Sequence, residues 1–303
     1  MVALGKIVAA AASAGSVLAA VFLCSCTDLR VLGSVTSDGG DPPDGGGRPI
    51  QVLVWNTALT YGHASRAQAI PLLRARESTD NIQFDTTYAH TDPSSTQENQ
   101  TDTSFDASVF TDQNLDKYDV VLFLNTTGNA MDDKDKAVHR QALQDFIEKK
   151  GRGFVGTHSA TDTYQAKAAD PWPWYVDFMG TNYDSHTAAG TQGVAQYFQG
   201  MTHPILMAAG TPPTWNRTDE WFTFTRDPLF SPIVGVKMLL TCHDQINATE
   251  RPTAWVHEMP PQGSAVRGGR MFYTAFGHFT PAFQEPAVMN LIIAGIKWAA
   301  GRL

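Results

Sequence analysis

Residues 151–160 (GRGFVGTHSA) constrain this chain more than any other stretch. A short apolar strand, Phe154-Val155, runs into a tight turn in which Gly156 and Ala160 flank His158. In open α/β sheets, ligands bind just beyond the carboxyl ends of strands. A narrow turn at such an end is where related folds present a nucleophile. This turn carries an imidazole, with neither a serine hydroxyl nor a cysteine thiol at its centre. It therefore closes off nucleophilic acyl chemistry there and opens proton transfer or metal ligation.

Strands and helices alternate around that turn. Residues 50–56 (IQVLVWN) read as a buried parallel strand, followed by a helix over about 65–77. A second strand is expected near 84–89, and residues 119–125 (DVVLFLN) form the clearest strand of all. Residues 92–104 are polar and without periodicity, a loop not expected to touch the histidine segments. The helix over about 132–150 carries Val138, Ala142, Phe146 and Ile147 on one face. The second half is aromatic and strand-rich, with strands at 193–198, 236–241, 253–258 and 270–276. A closing helix over about 286–300 docks through Val288, Leu291, Ile292 and Ile296. This order predicts an α/β protein with a flavodoxin-like sheet and an antiparallel extension.

The N-terminus has a different composition. Lys6 precedes an apolar run over 7–23 that ends Leu23-Cys24-Ser25-Cys26, the pattern of an export signal over residues 1–25. The ending resembles a bacterial lipoprotein signal, which implies lipidation of Cys26 and attachment to a bacterial membrane through the lipid anchor. Thr27, in place of an aspartate, favours the outer membrane, facing the periplasm. An uncleaved membrane anchor is the alternative that the length of the run leaves open. Residues 26–48, rich in Gly, Pro and Asp, bury no core and read as a flexible tether. One domain then spans 49–303. Of three cysteines, only Cys242 remains once the signal and the lipid site are set aside, so no disulfide framework is expected. The formal charge of −8 comes without a basic run, and no nucleic-acid partner is expected.

Nine histidines are present, and four fall where strands end: His63, His158, His257 and His278. In a parallel sheet those ends share an edge, so these rings are expected in one cleft. A histidine at a strand end also serves simply to cap backbone groups, and that reading stands beside the first. Asp219 and Glu220 are adjacent in a strand and face apart. One is expected to join the histidines while the other pairs with Arg217 or caps a loop. Asp162, one turn beyond His158, either orients an imidazole or caps a helix. His186 and His203 belong to loops, and His90, His139 and His243 read as surface residues. Trp172, Trp174, Tyr175 and Trp221 suit stacking on sugar rings or closure of an irregular core. Cys242 reads as buried and inert.

These segments together resemble the trehalose-utilisation, or ThuA-like, family. The matching stretches are 50–63, 110–133, 151–162, 171–186, 202–204, 217–224 (RTDEWFTF), 252–258 and 268–278, which cover nearly the whole domain in order. The resemblance implies a class I glutamine amidotransferase-like fold, a mostly parallel sheet with helices on both faces. Glutamine-using members of that fold keep a Gly-x-Cys-x-Gly turn. His158 stands where the thiol would be, so no glutamyl thioester can form.

The family also implies a small-molecule carbohydrate as partner, a disaccharide or its keto derivative. The leading reading is then a sugar hydrolase or isomerase, with His158, Asp219 and Glu220 catalytic. In it His63, His257 and His278 take a divalent metal, zinc suiting imidazole best, and Trp174, Tyr175, His186 and Trp221 contact the sugar. No nucleotide cofactor is expected, because no glycine loop cradles phosphate. The competing readings are a non-catalytic carbohydrate-binding lipoprotein and a structural envelope protein.

Overall fold

The structure is a computed structural model that describes residues 47–303, apart from positions 93, 95, 166, 234 and 261–266. The export signal, Cys26 and all of the tether before Gly47 lie outside the described residues. Among the described residues, no helix is long and apolar enough to cross a membrane.

Eleven strands are described: β1 (Ile50–Trp55), β2 (Ile82–Asp85), β3 (Val120–Leu124), β4 (Gly153–Thr157), β5 (Tyr183–His186), β6 (Thr191–Tyr197), β7 (Thr214–Asp219), β8 (Phe222–Phe224), β9 (Lys237–Asp244), β10 (Glu250–Glu258) and β11 (Arg270–Thr274). Nine of them form one sheet in the order β2-β1-β3-β4-β11-β10-β9-β6-β7, and β5 pairs with β8 in a small second sheet. From β2 to β11 every pairing is parallel. From β11 to β7 every pairing is antiparallel. The expected sheet and its extension are both present.

The central parallel strands β3 and β4 are buried along their whole length because helices cover both faces, while the edge strand β2 leaves Gln83 exposed. Val52, Val54, Leu122, Val155 and Phe272 pack toward the helices Ser65–Arg74 and Pro286–Ala299. Leu53, Trp55, Phe123, Phe154 and Tyr273 pack toward the helices Lys136–Glu148 and Pro173–Met179. Neighbouring residues of one strand thus enter different cores, as the pleat requires.

The structure departs from the sequence reading in four places. The second strand ends at Asp85, earlier than expected, because residues past it turn. Val138 is exposed, and the buried stripe of its helix runs through His139, Ala142, Leu143, Phe146 and Ile147. His139 is consequently no surface residue: it bridges the Phe110 carbonyl at 2.9 Å and Asp133 at 3.1 Å. Of the polar stretch 92–104, residues 98–102 fold onto the segment after β1, where Asp102 forms a salt bridge with the buried Arg66 and Glu98 accepts from the Ala64 amide at 3.3 Å. It does touch a histidine segment.

Candidate functional site

β4 ends at Thr157, and the chain turns sharply into a short 3-10 helix beginning at His158. His158 has φ of +42°, an uncommon value for a residue with a side chain. The turn closes because Gly156 lacks a Cβ: one there would lie 3.1 Å from Ala160 Cβ and from Met179 Cε. Small residues at 156 and 160 therefore permit the turn that aims the imidazole.

Three histidines and one carboxylate meet at this edge. His158 Nε2 lies 3.2 Å from His63 Nε2 and 3.3 Å from His278 Nδ1. Glu220 Oε2 lies 3.5 Å from His158 Nε2 and 3.3 Å from His278 Nδ1. His63 follows β1, His158 follows β4 and His278 follows β11, all parallel strands, so their carboxyl ends share one edge. The far edge of the antiparallel extension supplies the carboxylate, from the residue just after β7.

The surrounding hydrogen bonds orient this group. His158 Nδ1 donates to the Ala275 carbonyl at 2.9 Å, which fixes the ring and turns Nε2 toward the cluster. His63 Nδ1 lies 3.3 Å from Ser159 Oγ. Asp219 accepts from Arg217 at 2.7 Å and from the Gly277 and His278 amides at 3.2 and 3.3 Å. Asn125 Nδ2 donates to the Gly277 carbonyl at 2.8 Å and to Ser65 Oγ at 2.9 Å. Asp219, Ser65 and Asn125 thus hold the loop that carries His278.

Burial and charge set the protonation pattern. Desolvation, with the neighbouring imidazoles of His158 and His278, drives His63 well below the usual histidine range. Burial also opposes charge on His278, but Glu220 outweighs it and holds that ring above its ordinary value. For Glu220, burial is overcome by hydrogen bonds and charge from His158 and His278, so its carboxylate is held below the usual range. The four donor atoms, one per residue, all lie within 4.8 Å of one another, and His63, His158, Glu220 and His278 can together hold a metal ion.

A cavity of about 150 Å³ opens above this group, lined by Tyr61, His63, Ser159, Asp162, Tyr183, His186, Glu220 and Phe222. His186 reaches Glu220 Oε1 at 2.9 Å from the half-exposed strand β5. His158 is fully buried beneath the cavity, its ring against Phe222. Only His63 and Glu220, of the four clustered residues, face the open space.

Several expected site residues lie elsewhere. His257 is on β10, which runs antiparallel to β11 and pairs His257 with Met271 at the start of that strand. Its ring is therefore at the opposite edge, with Nε2 on the Phe178 carbonyl at 2.5 Å. Asp219 faces away from Glu220 into its pair with Arg217, so of the two carboxylates Glu220 alone joins the histidines. Trp174 stacks on Phe178 and donates to Glu148 at 2.7 Å. Tyr175 is fully buried, its hydroxyl on the Ala160 carbonyl at 2.9 Å, and Trp221 is buried with Nε1 on the Thr191 carbonyl at 2.8 Å. None of these three lines the cavity; they close the core. Tyr61, Tyr183 and Phe222 are the rings that do line it, and Asp162 faces it instead of capping a helix. The available signal was position: all four lie within the matched stretches 50–63, 151–162, 171–186 and 217–224.

The sequence matches the trehalose-utilisation family, ThuA, over residues 51–299. No curated protein matches it. Among solved structures, a ThuA-like protein from Bacteroides uniformis superposes with a TM-score of 0.60 at 20% identity, covering 86% of this chain and 95% of that one. The glutaminase domain of Trypanosoma brucei CTPS, solved with bound acivicin, reaches a TM-score of 0.43 at 10% identity, over 82% of this chain and 94% of that one. With the family match spanning nearly the whole domain, the chain belongs to the ThuA family.

Proposed function

We propose that this protein is a carbohydrate-processing enzyme acting on a disaccharide or a keto-sugar at the His63–His158–His278–Glu220 cluster. The family's link to trehalose utilisation supports the substrate class. One observation carries the chemistry: three imidazole nitrogens and a carboxylate oxygen, from four distant segments, converge at the floor of a cavity. Donors about 2.0–2.1 Å from a shared tetrahedral centre stand about 3.4 Å from each other. The closest separations in the cluster, 3.2 to 3.5 Å, fit that arrangement. Imidazole with one carboxylate is a donor set that suits zinc. Such an ion would supply polarisation of a sugar carbonyl or hydroxyl.

The residues divide the remaining work. His158, fixed by Ala275 and closed off from solvent, orients the cluster and does not reach substrate itself. Glu220 presents one carboxylate oxygen to the histidine cluster and the other to His186 at the rim. His63, kept neutral by burial as a ligand must be, forms part of the cavity wall. The rings of Tyr61, Tyr183 and Phe222 offer apolar surface to a sugar ring. The sequence of residues 1–48 supports a setting outside the cytoplasm, with Cys26 lipidated and the domain tethered to a membrane.

The test is elemental analysis of the purified protein, paired with turnover of disaccharides and their 3-keto forms before and after chelation. About one zinc per chain and chelator-sensitive turnover are expected. A metal-free protein whose turnover ignores chelators would remove the metal, and saturable sugar binding without turnover would remove the enzyme. Membrane fractionation of the protein and its Cys26→Ala form checks the anchor.

A further inference from the structure

Asp162 is the one carboxyl group in the cavity wall that the cluster does not use. It ends the 3-10 helix that begins at His158, so the turn that aims His158 downward also brings Asp162 to the cavity. Gln165 donates to its Oδ1, which fixes the carboxyl plane. No arginine or lysine forms an ion pair with it among the described residues, in contrast to Asp119, Asp132, Asp219 and Asp244. Lys167 and His186 act on it only through their charge, and Tyr183, Tyr273 and Glu220 face the same region.

We propose that Asp162 is the catalytic acid of this site, delivering a proton to the glycosidic oxygen of a sugar bound between it and Glu220. The inference rests on the carbohydrate reading above and narrows it to cleavage of a glycosidic bond. Asp162 and Glu220 line one cavity from different elements, one ion-paired and one not, and glycoside cleavage calls for two such carboxyl groups of unlike protonation. Desolvation pushes Asp162 up to about 7, so its proton is present near neutral pH. Glu220 is held charged by its histidines. The Asp162 carboxyl gives its proton to the bridging oxygen as the bond from that oxygen to the sugar carbon breaks. Water adds its hydroxide to that carbon, and its remaining proton returns to the Asp162 carboxylate. One glycosidic bond and one water become two hydroxyls, and the acid is restored.

The test compares the intact protein with Asp162→Asn on two substrates, a disaccharide and a 4-nitrophenyl glycoside whose leaving group needs no proton. Zinc content and thermal unfolding are measured alongside, and Asp162→Ser carries the same comparison should the amide variant fold poorly. Disaccharide turnover is expected to fall about 100-fold or more, and nitrophenyl glycoside turnover less than about tenfold, with zinc unchanged. The intact enzyme should also lose activity as pH rises past about 7, a limb the variant lacks. Equal losses on both substrates, or a retained limb, overturn the role of Asp162 and leave the metal cluster standing. An intact protein that turns over neither substrate overturns the cleavage reading along with it.

Discussion

The two edges of the nine-stranded sheet use histidine in opposite ways. At the carboxyl edge of the parallel half, His63, His158 and His278 share one space with Glu220. At the other edge, His257 stands apart, with Nε2 on a backbone carbonyl and Nδ1 without a hydrogen-bond partner among the described residues. Four residues of strand, or about 13 Å, separate the level of His257 from that of His158. The difference does not lie in local sequence, since each histidine follows an apolar run. It lies in strand direction, which decides whether the end of a strand faces the ligand edge or its opposite.

The sharpest way to break this comparison is to remove the carboxylate that completes the cluster. Glu220→Gln keeps the shape but withdraws the charge that supports His278 and His158. Turnover is expected to fall about 1000-fold, with metal affinity down by about 100-fold. The matching change at the other edge, His257→Leu, should leave bound metal untouched. Elemental analysis and steady-state assay of both variants decide the matter, and loss of metal from His257→Leu would sink the distinction.

Next in size is the buried support. Asp219→Ala leaves Arg217 with Glu285 alone and frees two amides that position His278, at an expected cost of about 3 kcal/mol. Asp244→Ala breaks a comparable pair with Arg251 in the antiparallel half. Urea unfolding should show both variants weakened, while metal content should fall only for the first. Equal metal loss in both would mean the cluster responds to general stability rather than to its own scaffold.

Acid sets the edges apart a third time. Burial lowers His257 to about 4, whereas an unfolded histidine titrates near 6.5. As pH falls from 6.5 the unfolded chain takes the proton first, so folding loses up to about 3 kcal/mol by pH 4. His257→Leu removes that loss, at the cost of one hydrogen bond worth about 1 kcal/mol at neutral pH. The variant should be the weaker protein at pH 7 and the stronger at pH 4, as read from urea midpoints. His278 has the opposite sign: its raised value adds stability at low pH that disappears as pH rises through the folded value.

Strand direction also explains which parts of the site were legible. The apolar runs of β1, β3, β4 and β11 announced buried strands, and the histidines after three of them converge as expected. An apolar run has no arrow, however, and nothing within β10 itself tells that it opposes both of its neighbours. Eleven residues separate Glu258 from Arg270, fewer than the dozen or more that a parallel crossover needs. That spacing was the available signal. β7 shows only at its end, where Asp219 and Glu220 read as strand residues, because its buried residues are Arg217 and Asp219, charges that are paired only after folding. Neither capping nor orienting an imidazole describes Asp162, because its place in the cavity wall depends on a small sheet whose strands are three and four residues long.

The smallest expected effect tests the aromatic residues. A ring that stacks on sugar must leave one face open, and Trp174 does not: Phe178 covers it at 4.9 Å and 6°, while Trp172 approaches at 4.9 Å and 32°. Trp174→Phe should therefore cost about 1 kcal/mol of stability through lost packing and the Glu148 bond, with KM for sugar changed less than about twofold. Tyr183 lines the cavity and is half-buried there, with its hydroxyl pushed up to about 12 by desolvation and by Asp162. Tyr183→Ala should raise KM about three- to tenfold, the range expected for losing one aromatic contact of about 1 kcal/mol. If Trp174 moved KM more than Tyr183 did, the sugar would have to lie outside the cavity, against the helix Pro173–Met179. Phe178 already takes one face of the Trp174 ring there, in competition with any sugar.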